Sequence, residues 1–372
     1  MFRHTIPLGR LFGITVDLDY SWFLIAALLT WVMATAYYPS QFRDWSVGEY
    51  WLIGALTAIL LFVSVVVHEF AHSLVAKSYG INVKRITLFI FGGVSQITGE
   101  PRSAGEEFWI AAAGPATSLA LAALFWELEP LARNSTPGLA VLTYLSWLNL
   151  VLAVFNLIPG FPLDGGRVLR AVLWRLTGKY QRATAIAATT GRFFGFLLIF
   201  LGVVEAVFGS LFNGIWIAFI GWFLESAAGS QLQQEVVRSL VAGHTVGEAM
   251  RQEIPQVPGD ATVQEAVDTH ILNRGIRSFV VYLNGGPVGM VTLADIGKLP
   301  RDRWALTPVS EIMLPLTRVE TVRRGADLWN ALEKMGRDGV NQLPVIENNG
   351  VVGMLTREDV MHYLQLLQSQ HA

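Results

Sequence analysis

The chain of 372 residues contains no cysteine, which excludes disulfides and any Cys-ligated metal centre. Charge is scarce as well. Only 15% of residues are charged and the net charge is −2, so there is no broad electrostatic surface for nucleic acid. No removable signal peptide is expected: Met1 to Asp19 holds Arg3 and Arg10 but no compact apolar core followed by a small-residue cleavage site. The first apolar span is therefore expected to be retained. What the chain has in excess is apolar surface, with 52% hydrophobic residues and a mean hydropathy of +0.44, too much for an ordinary soluble protein. The first 230 or so residues carry nearly all the long apolar runs, and the remainder reads as a soluble α/β sequence.

Six segments have the length or character of spanning helices: about Tyr20 to Tyr37, Trp51 to Val75, Phe108 to Trp126, Leu139 to Ile158, Phe193 to Phe212 and a short Gly214 to Ser226. Basic residues alternate between loops. Arg3 and Arg10 precede the first span, Lys77, Lys84, Arg85 and Arg102 follow the second, and Arg167, Arg170, Arg175, Lys179, Arg182 and Arg192 follow the fourth. Those loops are expected in the cytoplasm. An even number of spans then puts both termini there, in a multi-pass protein of a cell membrane.

Within the second span lies His68-Glu69-Phe70-Ala71-His72. On a helix the two His share one face, about 6 Å apart along the axis, and can bind one zinc ion. Glu69 can reach a water at that metal as general base. An ionisable group at the centre of a spanning helix costs on the order of 3 kcal/mol, so three of them together call for a compensating partner. The fourth span ends at Asn156-Leu157-Ile158-Pro159-Gly160-Phe161-Pro162-Leu163-Asp164-Gly165-Gly166-Arg167. It runs in the same direction as the second, so Asp164 arrives at a similar depth and is the expected third ligand. Read alone, Asp164 is better taken as an Asp of a Pro/Gly turn, bonding its own backbone; the His pair at matched depth reverses that preference.

Together these two motifs resemble those of the site-2 protease family of intramembrane zinc metalloproteases, H-E-x-x-H and N-x-x-P-x-x-P-x-D-G. The resemblance covers roughly residues 1–228. It implies zinc held by His68, His72 and Asp164, water activated by Glu69, and Asn156 assisting substrate or oxyanion. Phe91-Gly92-Gly93 is similar to the family's glycine motif in a membrane-associated β segment, which implies an edge presented to an unwound substrate; the plainer reading is an amphipathic hairpin at the membrane surface. Ala113-Gly114-Pro115 is also similar to a family feature. Its simple reading is a kink with close helix packing, and no chemistry is assigned to it. No PDZ-like insertion is apparent in the loops.

After about Val241 the sequence repeats itself. Pro287-Val288-Gly289-Met290-Val291-Thr292-Leu293-Ala294-Asp295 recurs as Val351-Val352-Gly353-Met354-Leu355-Thr356-Arg357-Glu358-Asp359, and Val246-Gly247-Glu248-Ala249-Met250 is echoed by Val309-Ser310-Glu311-Ile312-Met313. This resembles a tandem pair of CBS domains, at 243–300 and 301–372 after a linker at 229–242. The resemblance implies adenine nucleotide at Thr292, Asp295, Thr356 and Asp359, or a role in homodimerisation. A competing reading makes the same Thr and Asp residues helix N-caps.

The fold class expected is thus a polytopic α-helical membrane domain with a short membrane-associated β segment, followed by a cytoplasmic α/β CBS pair. The function expected is an intramembrane zinc metalloendopeptidase, with one catalytic Zn2+, whose partners are the lipid bilayer and a single-span or signal-peptide-derived membrane protein. Two alternatives stay open: a CBS-linked divalent-ion transporter or channel, and a silent binder of membrane segments. Transport predicts a polar path, for which the spans offer Glu127 or Glu129 near the outer surface and Glu205 and Glu225 as isolated acids.

Overall fold

The computed structural model describes residues 5–90, 92–133, 135–273, 278–348 and 350–371. They divide into two units, one ending at Glu235 and one beginning at Val236. In the first, β1 (Thr5–Leu11) and β2 (Ile14–Asp19) make an antiparallel hairpin. Asp19 then caps α1 (Tyr20–Val32), its carboxylate accepting from the Ser21 N–H at 3.0 Å. The helix runs on through a wider turn at Met33–Tyr37. Next, α2 (Val47–Ser78) opens with a capping box, in which Ser46 Oγ accepts from the Glu49 N–H and Glu49 Oε2 accepts from the Ser46 N–H at 2.7 Å.

β3 (Asn82–Phe89) comes back parallel to β2, and β4 (Gly92–Thr98) lies antiparallel to β3 at the end of the sheet, in the order β1-β2-β3-β4. Ile14, Val16 and Ile86 of the sheet share one apolar core with Phe70 and Ala76 of α2. The remaining helices are α3 (Ala104–Leu128), α4 (Thr136–Asn156), α5 (Asp164–Thr177), α6 (Tyr180–Phe208) and α7 (Leu211–Val241). Among the described residues six helices are long and apolar enough to cross a membrane, all of these except α5.

The first four spans fall close to the segments that hydropathy marks, and the last two do not. The fifth begins at Tyr180, not Phe193, and Phe212 belongs to the next helix. Its first half is held by small buried residues, Ala183, Ala187, Ala188 and Gly191, which contribute little to a hydropathy average. Arg192 is therefore inside a spanning helix and not in a loop, and it pairs with Glu225 of α7 at 2.9 Å. Glu225 is accordingly not an isolated acid. The sixth span is 31 residues long, and residues 229–241 continue it as helix. Glycines let α6 and α7 touch backbone to backbone: a Cβ at Gly195 would stand 2.8 Å from the Glu225 N, and one at Gly221 2.6 Å from the Ile199 N.

In the second unit, β5 (Gln256–Pro258), β6 (Ser278–Leu283), β7 (Gly286–Thr292) and β8 (Leu314–Pro315) form one sheet. β9 (Val322–Arg323), β10 (Gln342–Glu347) and β11 (Gly350–Thr356) form the other, with α8 (Leu328–Asp338) and α9 (Arg357–His371). The repeat is visible in the backbone. Both hairpins slip register at equivalent steps, Val281/Tyr282 and Val345/Ile346, and both turn through an Asn at positive φ, Asn284 at 52° and Asn348 at 50°. The opening segments are exchanged: Val246 and Ala249 pack with Leu328, Leu343 and Leu355 of the second repeat, whereas Val309 packs with Phe279 and Val291 of the first.

Glu248 ties that exchange together, accepting from His244 Nδ1 at 2.6 Å, the Thr245 N–H at 3.1 Å and Tyr363 Oη–H at 2.9 Å. These bonds, the His244 contact foremost, pull its carboxyl down from 4.5 to about 2. A carboxyl depressed on folding stabilises above its unfolded value and loses that contribution as pH falls through its folded value. The segment Val246–Ala249 should therefore lose hydrogen-exchange protection between about pH 4.5 and 2, and Glu248→Gln should remove that step.

Candidate metal centre

α2 puts His68 and His72 on one face, 3% and 4% exposed. α3 lies against that face through Ile110, Gly114 and Ser118, which are four residues apart and so stacked along one side of the helix. The Ile110 carbonyl O is 2.6 Å from His72 Nδ1. A carbonyl only accepts, so Nδ1 carries the proton and Nε2 presents a lone pair. Ser118 Oγ is 2.9 Å from His68 Nδ1 and fixes that ring. Between them, Gly114 supplies room: a Cβ there would overlap His72 Nε2 and stand 2.5 Å from His68 Nε2. The sequence marks this Gly-Pro step as a place of close helix packing without chemistry, and the close approach is to the two imidazoles themselves.

Asp164 comes from the loop after α4, at the first position of α5. That loop is seated on α6, where the Phe161 N–H donates to the Ala187 carbonyl O at 3.2 Å and the Gly191 Cα leaves space for the Phe161 backbone. Beneath it, Arg170 binds the fully buried Glu107. Asp164 Oδ2 lies 3.1 Å from Nε2 of both His, and the two Nε2 atoms are 3.1 Å apart. Three acceptor atoms thus converge with few protons to share, an arrangement that repels itself unless a cation is present. Ligands to one zinc at about 2.0–2.1 Å stand roughly 3.3 Å apart in a tetrahedron, so the donor set and its spacing fit zinc. Among the described residues this is the one such cluster that could hold a metal.

A cavity of about 280 Å3 opens beside the cluster and is also lined by Glu69, Asn156 and Arg167. Glu69 Oε2 accepts from Ser95 Oγ at 2.7 Å, and Ser73 Oγ donates to Ser95 Oγ at 3.2 Å. Ser95 was not singled out by sequence; it alternates with Gly93 along β4, on the face toward α2. A Cβ at Gly93 would come within 2.5 Å of Glu69 Cγ. Gly92 and Gly93 line the cavity, whereas Phe91 lies outside the described residues. Asn156 is on its wall, one amide hydrogen donated to the Leu152 carbonyl O at 2.9 Å.

In the second unit the repeated Thr and Asp residues form capping boxes. Asp295 Oδ2 accepts from the Thr292 N–H at 3.1 Å, and Asp359 Oδ2 accepts from the Thr356 N–H at 3.1 Å. Their other oxygens hold cations, Lys298 at Asp295 and Arg251 at Asp359. The N-cap reading thus describes what these side chains do here.

Ser118→Ala should lower zinc affinity by roughly 10- to 100-fold, the usual loss when a group orienting a metal-binding His is removed. Competition with a zinc chelator measures it.

The model for peptidase family M50 matches residues 56–129 and 130–198, and that for the CBS domain matches 246–300 and 309–366. Over 98% of its length the chain is 38% identical to "Putative zinc metalloprotease Rip3" of Mycobacterium tuberculosis, covering 94% of that protein. It is 27% identical to zinc metalloprotease MJ0392 of Methanocaldococcus jannaschii, with 98% of each covered. Among solved structures it is similar to the site-2 protease from Methanocaldococcus jannaschii, at 31% identity and a TM-score of 0.44, over 62% of this chain and 95% of that one. With identity sustained through the membrane part and the repeated part alike, the chain belongs to the M50 zinc metalloprotease family, in the form fused to tandem CBS domains.

Proposed function

We propose that this protein is an intramembrane zinc metalloendopeptidase that hydrolyses a peptide bond within or next to a transmembrane segment of another membrane protein. The observation that carries the reading is the triangle of His68, His72 and Asp164 opening on a cavity that Glu69 shares. Zinc held there supplies Lewis acidity, which polarises a peptide carbonyl and makes water more acidic. Glu69 takes a proton from the attacking water through Oε1, since Oε2 is engaged by Ser95, and passes it to the leaving amine as the C–N bond breaks. Asn156 keeps one amide hydrogen on Leu152 and offers the second to the developing oxyanion.

A transmembrane substrate must unwind before attack, because a helical peptide bond is shielded by its own hydrogen bonds. β4 is the last strand of its sheet, and its outer edge can pair with an extended segment beside Glu69. By the distribution of Lys and Arg, both termini face the cytoplasm. The substrate is a single-span protein or a remnant signal peptide, and the CBS pair senses adenine nucleotide or organises a homodimer. For nucleotide to regulate cleavage it must bind two arrangements with different affinity; titration of the full chain with AMP, ADP and ATP, followed by cleavage rate, tests that part.

The central reading is tested with purified protein as prepared, stripped by chelator, and reloaded with zinc, each presented with single-span reporters. Cleavage is expected in the first and third samples only. Cleavage surviving complete removal of metal, or zinc-dependent ion flux into vesicles without cleavage, would overturn it.

A further inference from the structure

Three of the ionic side chains of α5 stand at intervals of three residues, Asp164, Arg167 and Arg170. Asp164 belongs to the His cluster. Arg170 is neutralised by buried Glu107, and its guanidinium lies 4.9 Å from the centre of the Phe161 ring and 4.8 Å from that of Tyr180. Arg167 stands between them, partly buried, and makes no hydrogen bond or ion pair with any described residue. It lines the cavity that contains Glu69, and it also lines a second cavity of about 340 Å3 bounded by Gly99, Tyr180 and Gln231. Ile97 and Pro162 belong to both walls as well, so Arg167 borders two adjacent spaces. Glu100, on the second wall, is not a free carboxylate.

A guanidinium drawn partly out of water with no directly bonded counter-charge is costly, and the carboxylate whose charge it feels, Asp164, is committed to the His pair. Three residues on, the fold meets the same problem by bonding Glu107 to Arg170; at Arg167 no carboxylate among the described residues is bonded to the guanidinium, which leaves a planar fork of donors suited to one. We propose that Arg167 is a specificity-determining residue that binds an acidic side chain of the substrate, on the flank that runs from the metal-side cavity into the second one. The proposal rests on the protease reading. Because Arg167 lines the second cavity as well as the metal-side one, the partner assigned to it is a side chain flanking the cut.

The test uses full-length enzyme in neutral detergent without phospholipid, with reporters carrying Glu, Gln or Lys at each position flanking the cut. Wild type should prefer Glu to Gln by roughly tenfold in kcat/KM at one flanking position, as one charge-assisted hydrogen bond allows, with the difference in KM and not in kcat. Arg167→Gln should bring that ratio to about one, Arg167→Lys should keep part of it, and Arg167→Glu should invert it toward Lys, with zinc content equal in all. Should Arg167→Glu fail to fold, the Gln and Lys variants decide. Equal cleavage of all reporters by wild type, or a Glu preference surviving in Arg167→Gln, overturns the inference alone. No cleavage of any reporter by zinc-loaded wild type overturns the protease reading and this inference with it.

Discussion

Glu69→Gln should lower turnover of a single-span reporter by roughly 10²- to 10⁴-fold, the range supplied by a positioned general base, with zinc content unaltered. The substitution is nearly isosteric. Its amide can still meet Ser95 Oγ, which sits 2.7 Å from Glu69 Oε2 in the native protein, because a hydroxyl both donates and accepts. None of the three converging metal-side atoms belongs to Glu69, so the cluster should keep its ion. What the amide cannot do is take a proton from water. Single-turnover cleavage and metal analysis on the same samples separate the two effects, and a variant retaining a tenth or more of wild-type activity would remove Glu69 from the role of base.

The second large effect is expected at Gly114. In a helix interior Gly→Ala ordinarily stabilises by about 0.5–1 kcal/mol, and here the sign should reverse. The added methyl would occupy the space of His72 Nε2 and approach His68 Nε2 to 2.5 Å. Either α3 moves away, breaking the contacts of Ile110 and Ser118 with the two Nδ1 atoms, or the imidazoles leave their common focus. Overpacking of this kind costs about 1–3 kcal/mol, and zinc affinity should fall by at least roughly 100-fold, the upper end of losses from outer support. Gly105→Ala, near the start of the same helix and with nothing but Ser103 Oγ 4.0 Å away, is the control and should leave zinc binding intact. Equal zinc affinity in the two variants would mean that Gly114 has no part in the centre.

What could be read from the residues alone depends on how local the determining interaction is. His68 and His72 announce themselves because four residues on a helix make one face, and Asp164 because its Pro/Gly surroundings end a span. Gly114 and Ser118 acquire meaning only once α3 is laid against α2, and Ser95 only once β4 stands beside Glu69; no spacing in the sequence encodes those approaches. The same holds for the exchanged opening segments of the repeat. Arg251 and Asp359 are 108 residues apart in sequence and bonded in space. The late start assigned to the fifth span has another cause. A hydropathy window weighs Ala, Gly and Thr lightly, yet small residues are what let Tyr180 to Arg192 pack as helix under the loop carrying Asp164.

The parallel pairing of β2 with β3 bears on how the protein is made. β2 immediately precedes α1 and β3 follows α2 after a short turn, and four residue pairs from Thr15↔Arg85 to Leu18↔Leu88 join them. Those strands can meet only on one side of the bilayer, so the first two helices cross it as a matched out-and-back pair. A nascent chain that left either helix outside, or threaded one in reverse, would strand β2 and β3 on opposite leaflets with their backbone groups unsatisfied. The sheet therefore ties the crossing directions of α1 and α2 to one another, since β2 and β3 can pair only when the start of the first helix and the end of the second share a leaflet.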